Sequence, residues 1–175
     1  MNRNLVYPCL AVLAALLSSC ATDTASGNSG GASVEVNFES PERFTDMSRI
    51  FAGPRGADEG YLNELRKYLQ TEGADRLPAG YNLSVTVTDV DMAGDFEPQR
   101  GADFSDIRVV KQIYPPRIDL RYRLTGPDGA VRAESERRLR NTDFGLTIRS
   151  INRDYPLRHE KALIDDFLRD LRKQI

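Results

Sequence analysis

The sequence predicts an α+β fold, a small antiparallel sheet of about four to five strands with two packed helices. Three observations carry this. Apolar residues alternate with polar ones in several short runs, the period of a half-buried strand. Two longer stretches repeat at helical spacing. Gly126-Pro127-Asp128-Gly129 separates two alternating runs as a tight turn separates a hairpin. No βαβ unit repeats, which argues against a wound parallel sheet. The 175 residues suit one domain.

The elements follow in order. Val34-Glu35-Val36-Asn37-Phe38 alternates and reads as a first strand. Pro41 and a Gly53-Pro54 loop come next. Asp58 is a plausible cap for a helix whose Tyr61, Leu62, Leu65, Tyr68 and Leu69 share a face. The stretch from Gly73 to Gly80, with Pro78 inside it, is expected to end that helix. Tyr81, Leu83, Val85 and Val87 form a second strand. Between Asp89 and Pro116 two readings stay open: a strand beginning at Ile107 and Val109, or a short helix through Ile107, Val110 and Tyr114. Pro115-Pro116 forces an extended path. Ile118, Leu120, Tyr122 and Leu124 then alternate with Arg117, Asp119, Arg121 and Arg123, and Ala130 to Leu139 returns as the partner strand. Pairing Leu124 with Val131, Tyr122 with Ala133 and Arg121 with Glu134 keeps apolar side chains together. Asn141 to Pro156 looks irregular. A last helix, about Leu157 to Lys173, carries an apolar stripe of Leu157, Leu163, Ile164, Phe167, Leu168 and Leu171.

The first residues do not look like part of this domain. Met1 to Asn4 carries Arg3, an apolar region opens at Leu5, and the clean run Leu10–Leu17 precedes Ser18-Ser19-Cys20. That is the order of an export signal. The run is far shorter than the roughly 20 residues that a membrane-crossing helix needs. Leu17-Ser18-Ser19-Cys20 resembles the lipobox of bacterial lipoproteins. The resemblance implies cleavage before Cys20 and acylation of its thiol; the plainer alternative is an ordinary secretory signal cut near Ser19. Each buried methylene contributes about 0.8 kcal/mol, so several acyl chains hold permanently where one alone releases. Ala21 follows where inner-membrane lipoproteins often carry Asp, which by the same resemblance points to the outer membrane, facing the periplasm. The expected organisation is a signal peptide over 1–19, a linker over 20–33 from lipidated Cys20, and one domain over 34–175. Ala21 to Ser33 has almost nothing apolar to bury and reaches about 20 Å as a flexible tether.

Cysteine usage removes whole chemistries. Cys9 leaves with the signal and Cys20 is acylated, so the mature domain has no thiol for a disulfide, a nucleophile or a metal. Charge is uneven: 7 basic and 15 acidic residues from Cys20 to Phe104, against 16 basic and 11 acidic from Ser105 to Ile175. A basic face for an anionic partner is one explanation. The favoured one is two solvated faces that attract each other inside one fold. Export, net negative charge and the lack of a binding motif exclude nucleic acid as a partner.

Several segments together resemble a known family. Thr88-Asp89-Val90-Asp91-Met92-Ala93-Gly94, Ile107-Arg108-Val109-Val110-Lys111, Ile113-Tyr114-Pro115-Pro116-Arg117-Ile118 and the stretch from Glu160 to Leu168 are similar to proteobacterial envelope proteins grouped as domain of unknown function number 3016. The likeness spans about Val34 to Lys173. It departs at Gln99 and Phe167, where the family pattern carries tryptophan. The resemblance implies neither an activity nor catalytic residues.

Three candidate groups remain. Asp89, Asp91, Asp95 and Glu97 form the densest carboxylate cluster. Calcium takes 6–8 oxygen ligands, yet the spacing lacks a calcium-loop pattern, and a turn after the second strand is the favoured reading. His159 is the only histidine; a triad would need it, but a solvated or partner-bonded surface imidazole is favoured. Arg117, Arg121 and Arg123 project from one strand face, joined by Arg132, Arg138 and Arg140 from the next, and guanidinium groups grip carboxylates and phosphates. A salt-bridged outer face is the plainer reading there, because Asp119, Glu134 and Glu136 share it. Tyr114-Pro115-Pro116 reads as a bent strand entrance. No phosphate-binding glycine loop, GxSxG or HExxH occurs, and neither a cofactor nor a metal is implied. The expected function is a non-enzymatic accessory or binding module on a lipid anchor, meeting an envelope protein, peptidoglycan or lipid. The alternative is an envelope hydrolase or metal-binding protein using the Asp89–Glu97 carboxylates.

Overall fold

A computed structural model describes residues 31–46, 59–97, 108–144 and 157–175. Strand β1 spans Ser33–Phe38 and is followed by a 3-10 turn at Pro41–Arg43. Helix α1 covers Glu59–Arg76 and strand β2 Asn82–Asp91. Two short strands, β3 (Asp95–Phe96) and β4 (Arg108–Val109), precede β5 (Arg117–Thr125) and β6 (Val131–Arg140). Helix α2, Arg158–Arg172, ends the chain. The readings placed at Cys20, the tether up to residue 30, Gly53-Pro54, Asp58, Gln99 and Ile107 lie outside the described residues.

The main sheet has the order β1-β2-β5-β6, and β3 pairs with β4 apart from it. The fold is α+β, but the sheet is mixed rather than antiparallel. Strand β1 runs parallel to β2, Ser33 opposite Asn82 through Phe38 opposite Val87, whereas β2–β5 and β5–β6 are antiparallel. A parallel neighbour needs a crossover, and α1 supplies it. The expected strand, helix, strand succession was therefore a single βαβ unit.

Burial explains the alternation. Leu83, Val85, Val87 and Val90 of β2 and Ile118, Leu120, Tyr122 and Leu124 of β5 join one buried cluster with Leu62, Leu65 and Leu69 of α1 and Leu163, Ile164, Phe167, Leu168 and Leu171 of α2. Both helices thus cover one face of the sheet. The ring of Phe167 meets Tyr122 edge-on at 5.2 Å within the core. Helix α1 runs through Gly73 and ends at Arg76, inside the stretch expected to end it. A Cβ on Gly73 would lie 2.8 Å from Val34 Cγ2, and the missing side chain lets α1 close onto β1. Polar ties join the helices: Arg76 Nη2 and the Tyr68 hydroxyl donate to Asp165 at 2.7 and 2.9 Å, and Lys161 Nζ donates to Glu64 at 2.6 Å.

The β5–β6 register corrects the expected pairing by two residues. Leu124 faces Ala133, Tyr122 faces Ser135 and Arg121 faces Glu136. Thr125 opposes Val131, so Arg132 is the extra residue of a bulge. A two-residue slip preserves which side chains face the core, so the burial argument could not detect it. Strand β2 also outruns its expected end and carries Asp89 and Asp91 within the ladder, with an irregularity between Val87 and Asp89. These two carboxylates are strand residues; the turn follows them. Of the two readings for the next region, the strand holds, at Arg108–Val109.

Leu168 lies at the centre of this core. Leu168→Ala is expected to lower the unfolding free energy by about 2–5 kcal/mol, seen in urea titration as a lower midpoint at unchanged slope.

Candidate functional site

The polar chemistry concentrates where β2 leaves the sheet. Met92, Ala93 and Gly94 turn there, with Gly94 at φ 86°. A Cβ on Gly94 would stand 2.8 Å from the Val109 carbonyl oxygen, so both the dihedral and the close passage of β4 require glycine. Each of the three N–H groups donates to a distant partner: Met92 to Asp46 Oδ2 at 3.0 Å, Ala93 to Glu160 Oε1 at 2.8 Å, Gly94 to the Tyr114 carbonyl at 3.0 Å. All three carbonyls accept from Arg108, at 2.9, 2.8 and 2.7 Å along the chain. Arg108 also donates to both oxygens of the buried Asp46, forming a bidentate ion pair. Glu160 is 2% exposed. Burial pushes its carboxyl up, against the opposing pull of the Ala93 N–H and the Arg108 guanidinium.

Next to this cluster is a cavity of about 290 Å³. Asp46, Asp91 and Asp95 line it with Tyr114, Ile113 and Arg140. Burial raises the Asp91 carboxyl; Arg117 at 3.6 Å opposes this, while Asp46 and Asp89 reinforce it. Ile113, 70% exposed, stands at the rim.

The expected carboxylate cluster is thereby divided. Asp89 accepts from the Thr45 N–H and hydroxyl, each at 2.7 Å, and from Arg117 Nη2 at 2.7 Å. Burial alone would raise its carboxyl, but these donors together hold it below the ordinary value. Glu97 is buried and takes Lys111 Nζ at 2.5 Å and the Tyr114 hydroxyl at 3.2 Å. Only Asp91 and Asp95 of the four line the cavity, and Asp46, from the loop before α1, joins them. Among the described residues no three His, Cys, Asp or Glu side chains are gathered as a metal site.

The arginines also separate. Arg117 is a hub at the start of β5, bonded to Asp89, to the Thr45 hydroxyl at 3.1 Å and to Asp119 at 3.0 Å. Arg121 pairs with Glu39, and Arg123 with Glu134 at 3.0 Å. Arg138 reaches Asp119 at 3.1 Å, and Arg132 holds Asp128 at 2.6 Å. The sheet face away from the helices is therefore a lattice of both signs. It is still uncovered by either helix. Two shallow concavities, about 430 and 500 Å³, meet there at Arg121.

His159 is 7% exposed, which corrects the surface reading. Its ring meets Phe144 edge-on at 4.8 Å, and Nε2 accepts from Arg158 at 3.1 Å. Burial, with the Arg158 charge adding, pushes its pKa down to about 4.

Residues 32–170 match the family described as "Protein of unknown function (DUF3016)". The chain belongs to this family. Its matched span contains β1 and all but the last residues of α2, together with Asp46, Arg108 and Glu160. No curated protein and no solved structure matches the chain. The family's description names no reaction. No signal beyond the Thr88–Gly94 and Ile107–Lys111 resemblance marked Arg108 beforehand, and nothing marked Asp46.

Two outcomes are expected from this site. Arg108→Leu strands Asp46 and three backbone carbonyls in the interior and costs about 3–5 kcal/mol, measured by urea unfolding. The second concerns acid. His159 is neutral in the fold at pH values where the unfolded chain, with the ordinary value of 6.5, binds a proton. Its contribution is complete above pH 6.5 and is lost as pH falls towards about 4. His159→Phe flattens the melting temperature across that window, while the loss at lower pH from Asp89 and Glu64 persists.

Proposed function

We propose that the chain is a lipid-anchored protein of the bacterial envelope, held through Cys20 at the outer membrane, whose folded domain is a non-enzymatic binding module. The observation that carries the binding role is the outer sheet face, which neither helix covers. There Arg121 and Arg123, with Glu39, Glu134 and Glu136, present paired charges around two shallow concavities. Exposed ion pairs of this kind add little stability, so they can exchange partners at low cost. A partner carrying both signs, such as another envelope protein, suits such a lattice better than a purely anionic surface. Arg117 is set apart from this role, because its contacts to Asp89, Thr45 and Asp119 hold β2 and β5 together.

The anchor rests on the order of cationic start, apolar run and Leu17-Ser18-Ser19-Cys20. Among the described residues no helix is long and apolar enough to cross a membrane. Attachment would then depend on the acyl chains, with residues 21–30 as the tether.

The cavity beside the 92–94 turn supports a second reading. Asp91, with its raised carboxyl, and Asp95 could serve acid–base hydrolysis there. Asp91→Asn would abolish turnover of an envelope substrate while leaving the fold intact; a binding module keeps its partner through that change.

Intact-mass measurement of the mature chain is expected to show acylated Cys20, and Cys20→Ala to release the protein from the membrane fraction. In-cell crosslinking is expected to lose its main adduct when Arg121 and Arg123 are both changed to Glu. A bare thiol refutes the anchor, and an unchanged adduct refutes the face.

A further inference from the structure

Strand β6 ends the sheet, and among the described residues nothing pairs with its outer side. It spans ten residues without glycine or proline and is exposed along nearly all of its length. Its pairing with β5 sets Glu134, Glu136, Arg138 and Arg140 opposite Arg123, Arg121, Asp119 and Arg117, which places all four on the outer sheet face. Along the strand their charges run minus, minus, plus, plus.

That order is self-complementary. We propose that β6 pairs antiparallel with β6 of a second copy of this chain, about a two-fold axis at Arg137, joining two four-stranded sheets into one. In this register Glu134 faces Arg140 of the second copy and Glu136 faces Arg138, and symmetry repeats both pairs. Slipping two residues one way sets Glu136 against itself; slipping two the other way sets Arg138 against itself. Sheet edges are commonly protected from pairing by charged side chains, by proline or by bulges. Here the outer column is neutral and sorted by sign, and the bulge at Arg132 lies beyond the seven residues that would pair. Arg138, 68% exposed despite its bond to Asp119, has room to take a second carboxylate. The opposing contribution is on the helix side, where Arg137 meets its own copy. Asp170 and Asp166 of α2 line the same cavity as Arg137 and offset that repulsion.

The register gives a single-residue test on the full-length chain in membranes. Residues facing each other across antiparallel strands have Cα atoms about 4.5–5.5 Å apart, inside the range a disulfide spans. Arg137→Cys is therefore expected to form, under mild oxidation, a reducible band of twice the monomer mass. Glu134→Cys alone should not, because its own copy lies six residues along the strand, roughly 20 Å away. Glu134→Cys co-expressed with Arg140→Cys should form the mixed dimer. A monomeric Arg137→Cys chain overturns the proposal, as does equal crosslinking from Glu134→Cys, which would report collision in the membrane plane. A second arm keeps the native Arg137. In detergent, sedimentation equilibrium should find E134R/E136R and R138E/R140E each monomeric and their mixture dimeric, with circular dichroism unchanged. Folded variants that stay monomeric when mixed overturn it as well.

Discussion

One guanidinium group organises this fold. Arg108, itself part-buried, lies beneath the 92–94 turn and spends its N–H donors on Asp46 and on three successive backbone carbonyls. The residues that accept from it are buried, so each would otherwise lose a hydrogen bond. Met92, Ala93 and Gly94 thereby have all their backbone groups paired with the loop before α1, with β4, with the segment before β5 and with α2. Parts of the chain far apart in sequence converge on one short turn. The arrangement is also all-or-none: removing any member leaves a neighbour dry and unpaired.

The uneven charge of the two halves has a structural explanation. Arg108–Asp46, Lys111–Glu97, Arg117–Asp89, Arg121–Glu39 and Lys161–Glu64 each join a cation from the second half to a carboxylate from the first. The halves interleave in the sheet, β1 and β2 beside β5 and β6, so an imbalance along the chain becomes balance in space. These pairs differ greatly in weight. Arg108–Asp46 is bidentate and mostly withdrawn from solvent, whereas Arg121–Glu39 is half exposed, and solvent screening reduces its contribution.

What the sequence made legible follows from periodicity. Helical stripes and strand alternation located α1, β2, β5, β6 and α2, because burial on one face imposes those spacings whatever the partner. Direction and offset were less accessible. Alternation does not record whether β1 lies parallel or antiparallel to β2, and a two-residue slip of β6 leaves every inward residue inward. The polar site was harder still. Asp89 and Asp91 stand out by density, yet the pivotal carboxylates, Asp46 and Glu160, lie far apart in sequence and look like ordinary surface acids. Burial of a lone His159 on a helix amid Arg158, Glu160 and Lys161 is equally hidden, since its charged neighbours suggest solvent. Long-range convergence has no local pattern.

The parallel pairing of β1 bears on how the molecule assembles. The β5–β6 ladder closes over a tight turn, with Gly129 at φ 78°. Strand β1 must wait for the whole of α1 and for β2 before Ser33 can bond Asn82 across 49 positions. Closing longer loops is entropically dearer and slower. The hairpin is thus suited to nucleate the sheet and β1 to dock late, as the strand that unravels first. It is also the strand nearest the chain's start, so a pull from that side would reach the most weakly nucleated edge before the core.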